Sequence, residues 1–230
     1  MKRLLICFLL LSLSIIIGCG TKLNDGGNDM THKDVSFKTE DGIKIAGDLY
    51  EGEDRGIILL HMYTTTRQTW KDFAQELQKK GYSVLAIDFR GHGQSDLNYN
   101  GFSEEDFNNM LLDARAAKKF LGKSNNIVMG ASIGANIALK FANEVDGVVA
   151  LSPSFDYKGI KTKEDAKKIN KKVLIIVSEE DMQSIDDSKE LNKIISGSKL
   201  QVYNGKGHGI RMLDEETKEL IFDWLVESGI

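Results

Sequence analysis

The sequence contains few of the residues from which disulfide frameworks and metal sites are built. Only two cysteines, Cys7 and Cys19, and four histidines occur among 230 residues. Both cysteines lie near the N-terminus, so the rest of the chain has no thiol pair for a disulfide or a redox motif. No two histidines have a ligand spacing such as His-x-x-x-His. We therefore predict no metal and no cofactor.

An excess of positive charge is also missing. The chain has 30 basic and 34 acidic residues, a formal net charge of −4, and loss of Lys2 and Arg3 with residues 1–18 would make it −6. This balance argues against nucleic acid, whose phosphates attract basic patches, and against electrostatic attachment to a membrane. We expect a monomer whose ligands are small molecules.

The one apolar run of notable length is too short to span a membrane. Residues 4–17 follow Lys2 and Arg3, and as a helix they would extend roughly 21 Å, against ~30 Å of hydrocarbon core. The pattern predicts a signal peptide over residues 1–18. An uncleaved signal anchor, or an ordinary signal followed by a chance cysteine, is the alternative.

The end of this run, Ile-Ile-Gly-Cys at residues 16–19, resembles the lipobox of bacterial lipoprotein precursors. The resemblance implies that Cys19 is lipidated and becomes the first residue of an exported protein anchored in the cell envelope. Stable anchoring takes more than one acyl chain, which a diacyl lipoprotein anchor provides. The polar residues up to 32 predict a flexible tether with a span of roughly 20 Å.

Residues 33–230 alternate short apolar runs with amphipathic stretches, without an internal break or repeat. The runs, read as strands, are 35–37, 43–50, 57–61, 83–88, 127–130, 148–151, 173–178 and 200–203; the stretches, read as helices, are 69–80, 104–121, 133–143, 184–195 and 215–227. This order predicts one α/β domain with a mostly parallel sheet of about eight strands and helices on both faces. Chemistry in such folds lies at the carboxyl ends of the strands.

A Gly-x-Ser-x-Gly pentapeptide, residues 130–134, lies between a predicted strand and a predicted helix. A nucleophilic serine at such a turn has a strained backbone and needs small neighbours. We therefore predict Ser132 as the nucleophile, with a glycine-rich strand end and a helix-capping serine as the alternative. The N–H of Ile133, at the start of the helix, is a candidate donor to an oxyanion.

A serine nucleophile needs a base, and His208 is the only histidine after the last predicted strand. Glycines on both sides leave its loop free to bring the imidazole to Ser132. His61 ends a predicted strand and His92 lies between two glycines; both are predicted to shape the pocket. The alternative is a surface histidine in a glycine-rich loop.

The acid that orients the histidine should lie between Ser132 and His208 in the chain. Asp181 follows the strand at 173–178 and is our choice; a solvated acidic turn is the alternative. Asp156, after the preceding strand, is the rival position, whereas Asp186 and Asp187 fall on a helix and rank lower.

With Ser132, Asp181 and His208 in this order, the chain resembles the α/β-hydrolases. Residues 83–95 resemble the family's Asp-x-Arg-Gly-His-Gly-x-Ser segment, and residues 59–63 resemble the strand that ends in His-Gly-x. The resemblance implies that the N–H of Tyr63 is the second oxyanion donor, paired with Ile133. Met62 stands where the family has glycine, which predicts a narrower approach to the site.

Several α/β-hydrolases carry a cap domain after the sixth strand. Here residues 154–171 are too few and too polar for one, so we predict one turn, one short helix and an open, shallow site. The chain is most similar to compact members like the dienelactone hydrolases and serine aminopeptidases. The former usually use cysteine where this chain has Ser132, so their lactone activity is not carried over.

These observations predict an enzyme, a serine hydrolase that cleaves a carboxylic ester with a small or exposed acyl group through an acyl-enzyme intermediate. A peptidase acting on short peptides, or a thioesterase, could use the same three side chains. A non-catalytic binding lipoprotein with a hydrolase fold is the alternative from another class.

Overall fold

The computed structural model describes residues 32–229. The predicted signal peptide, the lipidation site Cys19 and all but the last residue of the predicted tether lie outside this range and stay predictions. Within it, no helix has both the length and the apolar character needed to cross a membrane.

Ten strands are present in the described part of the chain. They are β1 (Lys33–Lys38), β2 (Lys44–Tyr50), β3 (Arg55–Leu60), β4 (Ser83–Ile87), β5 (Asn125–Ala131), β6 (Gly147–Leu151), β7 (Asp156–Tyr157), β8 (Ile160–Lys161), β9 (Lys172–Ser178) and β10 (Lys199–Tyr203). β7 and β8 form a small antiparallel hairpin of their own. The other eight form one sheet, which agrees with the predicted number.

The order of the large sheet is β1-β2-β4-β3-β5-β6-β9-β10. β1 and β2 pair antiparallel, and β2 also pairs antiparallel with β4. From β4 to β10 every pair is parallel. The carboxyl ends of six neighbouring strands therefore meet at one edge of the sheet, as in other open α/β sheets that bind ligands there.

Between His32 and Gly229 there are seven α-helices, six of them between strands and the last after β10. They are α1 (Lys71–Lys79), α2 (Glu104–Asn108), α3 (Met110–Leu121), α4 (Ile133–Phe141), α5 (Lys163–Ala166), α6 (Ile185–Ile194) and α7 (Glu215–Ser228). The stretch predicted as one helix over 104–121 is divided at Asn109 into α2 and α3. Ser103 caps α2 in a reciprocal capping box with Asp106.

The core has two layers, one on each face of the sheet. One layer contains Met110 of α3, Ile137 of α4 and Leu191 of α6, and the other contains Phe73 of α1 and Trp224 of α7. The five central strands of the sheet, β4, β3, β5, β6 and β9, are buried on both faces, which explains their continuous apolar sequences. Helices thus cover both faces, as predicted.

Residues 154–171 differ in detail from the prediction of a turn and a helix. They form the β7–β8 hairpin followed by the four-residue helix α5. No separate cap domain is present between His32 and Gly229, and the carboxyl edge of the sheet is covered by loops, this hairpin and the short helix α2, whose Phe107 ring contacts that of Tyr63.

Candidate active site

Ser132 lies in the tight turn between β5 and α4. Its backbone has φ 53° and ψ −116°, a region that non-glycine residues adopt at a cost of about 1–3 kcal/mol. The Ser132 N–H donates to the carbonyl of Leu151 on the neighbouring strand at 2.9 Å. The turn therefore holds the serine at the carboxyl edge of the sheet.

The two glycines of the pentapeptide are required by close backbone approach. A Cβ atom on Gly130 would lie 2.1 Å from the carbonyl oxygen of Gly134. A Cβ atom on Gly134 would lie 2.3 Å from the carbonyl oxygen of Leu60 in β3. Because neither position can hold a side chain, α4 packs directly against the ends of β5 and β3.

His208 and Asp181 form a direct pair. The His208 Nδ1 atom lies 2.8 Å from Asp181 Oδ2, and the Asp181 carboxylate is almost fully buried while the imidazole is one-third exposed. Burial by itself would raise the pKa of Asp181, but hydrogen bonds from the side chains of His208, Ser152 and Ser184 lower that pKa below its usual value. An ionised Asp181 leaves the proton on Nδ1 and the lone pair on Nε2.

Ser152 supports this pair and was not predicted from the sequence. It follows β6 with φ 56°, and its hydroxyl accepts a hydrogen bond of 2.9 Å from the N–H of Gly209, next to His208. Its position directly after a central strand was the signal that could have identified it.

Ser132 and His208 line the same cavity, which has a volume of about 280 Å³. Ser132 is 7% exposed, so this cavity is where a ligand would meet its hydroxyl. Within residues 32–229, no hydrogen bond joins the Ser132 hydroxyl to the imidazole. Such contacts are often long in ligand-free enzymes and tighten when substrate binds.

The two predicted oxyanion donors belong to different elements, one after β5 and one after β3. Ile133 is the first residue of α4, where backbone N–H groups have no partner within the helix. Tyr63 follows β3, and its N–H has no hydrogen-bond acceptor among the described residues. Both N–H groups are therefore free to bind a developing negative charge.

Met62 packs against the loop that carries His208. Its side chain is not part of the cavity lining. It lies against the loop of His208, where Met62 Sδ accepts from the Ile210 N–H at 3.4 Å and occupies the space that a Cβ atom on Gly209 would need. Met62 thus connects the end of β3 to the His208 loop.

His61 and the residues around it hold the Tyr63 loop in place. His61 Nε2 accepts from the Phe89 N–H at 3.0 Å, and Nδ1 lies 2.7 Å from the Met62 carbonyl oxygen. Arg67, after the loop, forms a buried ion pair with Asp88. Burial lowers the pKa of His61 to about 4, so the ring is neutral and shapes the site, in agreement with its predicted role.

The rival acids do not contact His208. Asp156 lies on the β7–β8 hairpin, where its Oδ1 accepts from the Gly159 N–H at 3.0 Å. Asp186 is exposed on α6, and Asp187 accepts from the Phe155 N–H at 2.8 Å. Of the four predicted candidates, only Asp181 is bonded to the imidazole.

One group of possible metal ligands occurs in the described part of the chain, namely His32 just before β1, Asp34 on β1 and Asp48 on β2. Arg67 already forms an ion pair of 2.6 Å with Asp48 Oδ1 and lies 3.6 Å from Asp34. A cation would have to compete with this guanidinium, and none of the three residues lines the cavity of Ser132.

Some known proteins match part of this sequence, and others match its fold. The family profile described as serine aminopeptidase, S33, matches residues 52–161. An AB hydrolase superfamily protein of Bacillus subtilis is 32% identical over 106 residues, which cover 44% of this chain and 38% of that protein. The chain therefore spans well under two thirds of the length of that relative.

Two solved structures match almost throughout. An esterase of Pyrococcus furiosus superposes with a TM-score of 0.76 at 25% identity, covering 86% of this chain and 93% of the esterase. A predicted hydrolase of Thermoplasma acidophilum has a TM-score of 0.73 at 26% identity and covers 87% of this chain and 100% of its own. The chain therefore has the α/β-hydrolase fold, and these matches support its assignment to the α/β-hydrolase superfamily as a hydrolase.

Proposed function

We propose that the protein is a serine hydrolase that cleaves carboxylic esters with a small or exposed acyl group. The observation that carries this proposal is the 2.8 Å bond between His208 and the buried Asp181, because His208 lines the same cavity as the strained Ser132. A strained serine, a histidine and a carboxylate in this arrangement are what acyl transfer requires.

In the proposed reaction, Ser132 Oγ attacks the ester carbonyl carbon and its proton passes to His208 Nε2. Asp181 holds the ring through Nδ1–H and stabilises the imidazolium. The N–H groups of Tyr63 and Ile133 donate to the carbonyl oxygen as it becomes negative. The carbon–oxygen bond to the alcohol then breaks, and the alcohol leaves with the proton from Nε2.

Water completes the cycle. His208 Nε2 takes a proton from a water molecule, whose oxygen attacks the acyl carbon bound to Ser132. When the acyl–serine bond breaks, the proton returns to Ser132 Oγ and the carboxylic acid is released. The carboxyl edge of the sheet has no cap domain and is covered by loops, one small hairpin and the five-residue helix α2, which favours a small or exposed acyl group over a long chain.

A fluorophosphonate probe tests the proposed nucleophile. The purified protein should be labelled, and Ser132→Ala should abolish the labelling while leaving the circular dichroism spectrum unchanged. Ser124→Ala, at an exposed position on a loop, is a matched control that should be labelled like the unmodified protein. Labelling that survives Ser132→Ala would remove Ser132 from this role.

The bond that is cleaved is tested by a panel of acetyl compounds. The ester should be hydrolysed faster than the thioester or the amide of the same acyl group. A faster rate on the amide would show that the protein cleaves amide bonds, as a peptidase does, and a faster rate on the thioester would make it a thioesterase. No turnover of any member, together with intact fold, would favour a binding protein.

We also propose that the enzyme is anchored in the cell envelope through lipidated Cys19, on the strength of the lipobox-like residues 16–19. Cys19→Ser should release the protein from the membrane fraction, whereas Cys7→Ser should not. Retention of the Cys19→Ser protein in the membrane would indicate an uncleaved anchor instead.

A further inference from the structure

The loop that carries His208 is tied at its start to the end of β9. The Gly205 N–H donates to Glu180 Oε1 at 2.7 Å, and the Lys206 N–H donates to the Ser178 hydroxyl at 3.1 Å. Ser178 is the last residue of β9, and Glu180 follows it two residues later. Two successive N–H groups of the loop are therefore fixed to one strand end.

The carboxylate of Glu180 determines both of these bonds. Its Oε1 atom is the acceptor for Gly205, and its Oε2 atom accepts from the Ser178 hydroxyl at 2.5 Å. A hydroxyl has one proton and two lone pairs, so the proton that Ser178 gives to Glu180 leaves its lone pairs for the Lys206 N–H. These hydrogen bonds, of which the one from Ser178 contributes most, hold the pKa of Glu180 below its usual value, so the carboxylate is ionised at neutral pH.

Glu180 and Asp181 are neighbours in the chain and bind the same loop at two points. Asp181 holds the imidazole of His208, whereas Glu180 holds Gly205, three residues earlier. Gly205 and Gly207 both have φ +76°, in a region that glycine enters at little cost. A stretch with two such glycines has few conformational limits of its own, so its path depends on the bonds that Glu180 makes.

Glu180 contributes little to the packing of the fold. Its side chain is exposed and belongs to neither core layer. β10 pairs with β9 over residues 199–203, before the loop begins, and the Lys206 ammonium is bound separately by Asp214 and Glu216 at the start of α7, at 2.9 and 2.7 Å. The elements on either side of the loop are thus held without Glu180, and its bonds bear on the path of the loop.

We propose that Glu180 is a positioning residue of the active site, whose carboxylate keeps the imidazole of His208 in contact with Asp181 by fixing the start of the loop. This inference rests on the serine hydrolase proposed above, in which the imidazole gains and loses a proton twice in each cycle. Asp181 stabilises each imidazolium only while the ring stays in place. A loop released at Gly205 would lower the fraction of molecules in which that contact is made.

The first test is Glu180→Ala. This variant should lower kcat for p-nitrophenyl acetate by about tenfold or more, because a small displacement of a catalytic group by a distant change can cost up to ~100-fold. KM should stay within about twofold of its value in the unmodified protein, since Glu180 does not line the cavity of Ser132 and acts on the reaction step. Glu179→Ala removes the adjacent exposed carboxylate, which forms no hydrogen bond within residues 32–229, and should change neither constant. An unchanged kcat in Glu180→Ala would overturn the inference.

Two further variants separate the reach of the side chain from its charge. Glu180→Gln keeps the length, so its amide oxygen can accept from the Gly205 N–H and its amide nitrogen can donate to the Ser178 hydroxyl. Because such neutral bonds are roughly half as strong as charge-assisted ones, kcat should fall by no more than about threefold. Glu180→Asp keeps the charge but is one methylene too short to reach Gly205, so kcat should fall as in Glu180→Ala. A higher kcat in Glu180→Asp than in Glu180→Gln would show that charge matters and position does not, which contradicts the inference.

Stability and labelling show whether the loss of kcat arises at the loop. The urea midpoint of Glu180→Ala should stay close to that of the unmodified protein, because the side chain is exposed and changes at exposed sites seldom alter stability. The fluorophosphonate should label Ser132 more slowly in this variant, because labelling also needs the imidazole as a base. A lowered midpoint, together with an equal loss of kcat in Glu180→Gln, would give Glu180 a structural role only and overturn the inference.

The two proposals fail in different ways. If the unmodified protein hydrolyses p-nitrophenyl acetate and is labelled at Ser132, but Glu180→Ala does both equally well, only the role of Glu180 is wrong. If the unmodified protein hydrolyses no ester and is not labelled, the proposed function is wrong and the inference falls with it.

Discussion

At the scale of single residues, three residues that follow three different strands hold the His208 ring and its loop. Asp181 follows β9 and binds Nδ1, Ser152 follows β6 and accepts from Gly209, and Met62 follows β3 and accepts from Ile210. All three contacts reach the loop after β10 from the carboxyl edge of the sheet. The position of the imidazole therefore depends on the sheet as a whole, although each contact can be tested alone.

Asp181→Asn should lower kcat for p-nitrophenyl acetate by about 10⁴, because an amide cannot stabilise the imidazolium or fix the required tautomer. Initial-rate assays measure this loss of kcat directly. Asp186→Asn is the control for loss of a carboxylate and should have little effect. A larger loss in Asp156→Asn than in Asp181→Asn would make Asp156 the orienting acid.

Met62→Ala should destabilise the protein by about 2 kcal/mol, because it leaves a cavity and an unpaired Ile210 N–H. Met62→Ala should also lower kcat, because the loop that carries His208 loses its contact with the Met62 side chain. Met182, which is 82% exposed, provides the matched substitution, and Met182→Ala should leave the free energy of unfolding nearly unchanged. Equal urea midpoints for the two variants would show that Met62 does not brace the loop.

The neutral His61 ring makes stability depend on pH. Its pKa is about 4 in the folded protein, against 6.5 for an ordinary histidine, so between these values the unfolded chain binds a proton that the folded state does not. His61 therefore lowers the free energy of unfolding as the pH falls below 6.5, by up to ~3 kcal/mol near pH 4. Above pH 6.5 this dependence vanishes.

His61→Gln isolates this effect. Glutamine can still accept from the Phe89 N–H but does not titrate, so urea unfolding at pH 7.5 and pH 5 should show a smaller pH dependence than in the unmodified protein. His32, near the outer edge of the sheet and partly exposed, gives the control His32→Gln. A pH dependence unaltered by His61→Gln would mean that the ring is not buried as a neutral group.

At the scale of elements, the turn from β5 to α4 is where sequence and structure agree most closely. The pentapeptide at residues 130–134 predicts both the turn and its strain, because small neighbours are a local steric requirement. The division at Asn109 and the β7–β8 hairpin were not predicted. The amphipathic pattern continues through Asn109, and strands of two residues are too short to show an alternating pattern.

Gly134→Ala should disrupt this turn. The added Cβ would lie 2.3 Å from the Leu60 carbonyl oxygen, which is backbone and cannot move without shifting β3 away from α4. We expect a loss of several kcal/mol, or no soluble protein, by the usual limits of overpacking. In Gly197→Ala the Cβ meets open space at φ +75°, so the expected loss is only about 1–2 kcal/mol. Similar thermal midpoints for both variants would contradict the close approach.

At the scale of the whole molecule, strand order explains how much of the site could be predicted. Parallel strands bring their carboxyl ends to one edge, so residues that follow strands, such as Ser132, Asp181 and His208, could be selected from the sequence alone. Ser152 and the bracing role of Met62 could not, because they depend on which strands are neighbours. β3 and β6 flank β5 in the sheet but are separated along the chain.

The same strand order predicts that residues 33–230 unfold as one unit. Both core layers share every central strand, so neither can lose its packing while the other persists, and we expect the all-or-none transition that smaller single domains show. Trp70 and Trp224 lie in one layer, whereas α3, α4 and α6 cover the other. Tryptophan fluorescence and far-ultraviolet circular dichroism should therefore give the same urea midpoint. A reducing agent should not shift this urea midpoint, since the only cysteines in the sequence are Cys7 and Cys19. Midpoints that differ between the two probes would show that the two layers unfold separately and that the sheet does not bind them into one domain.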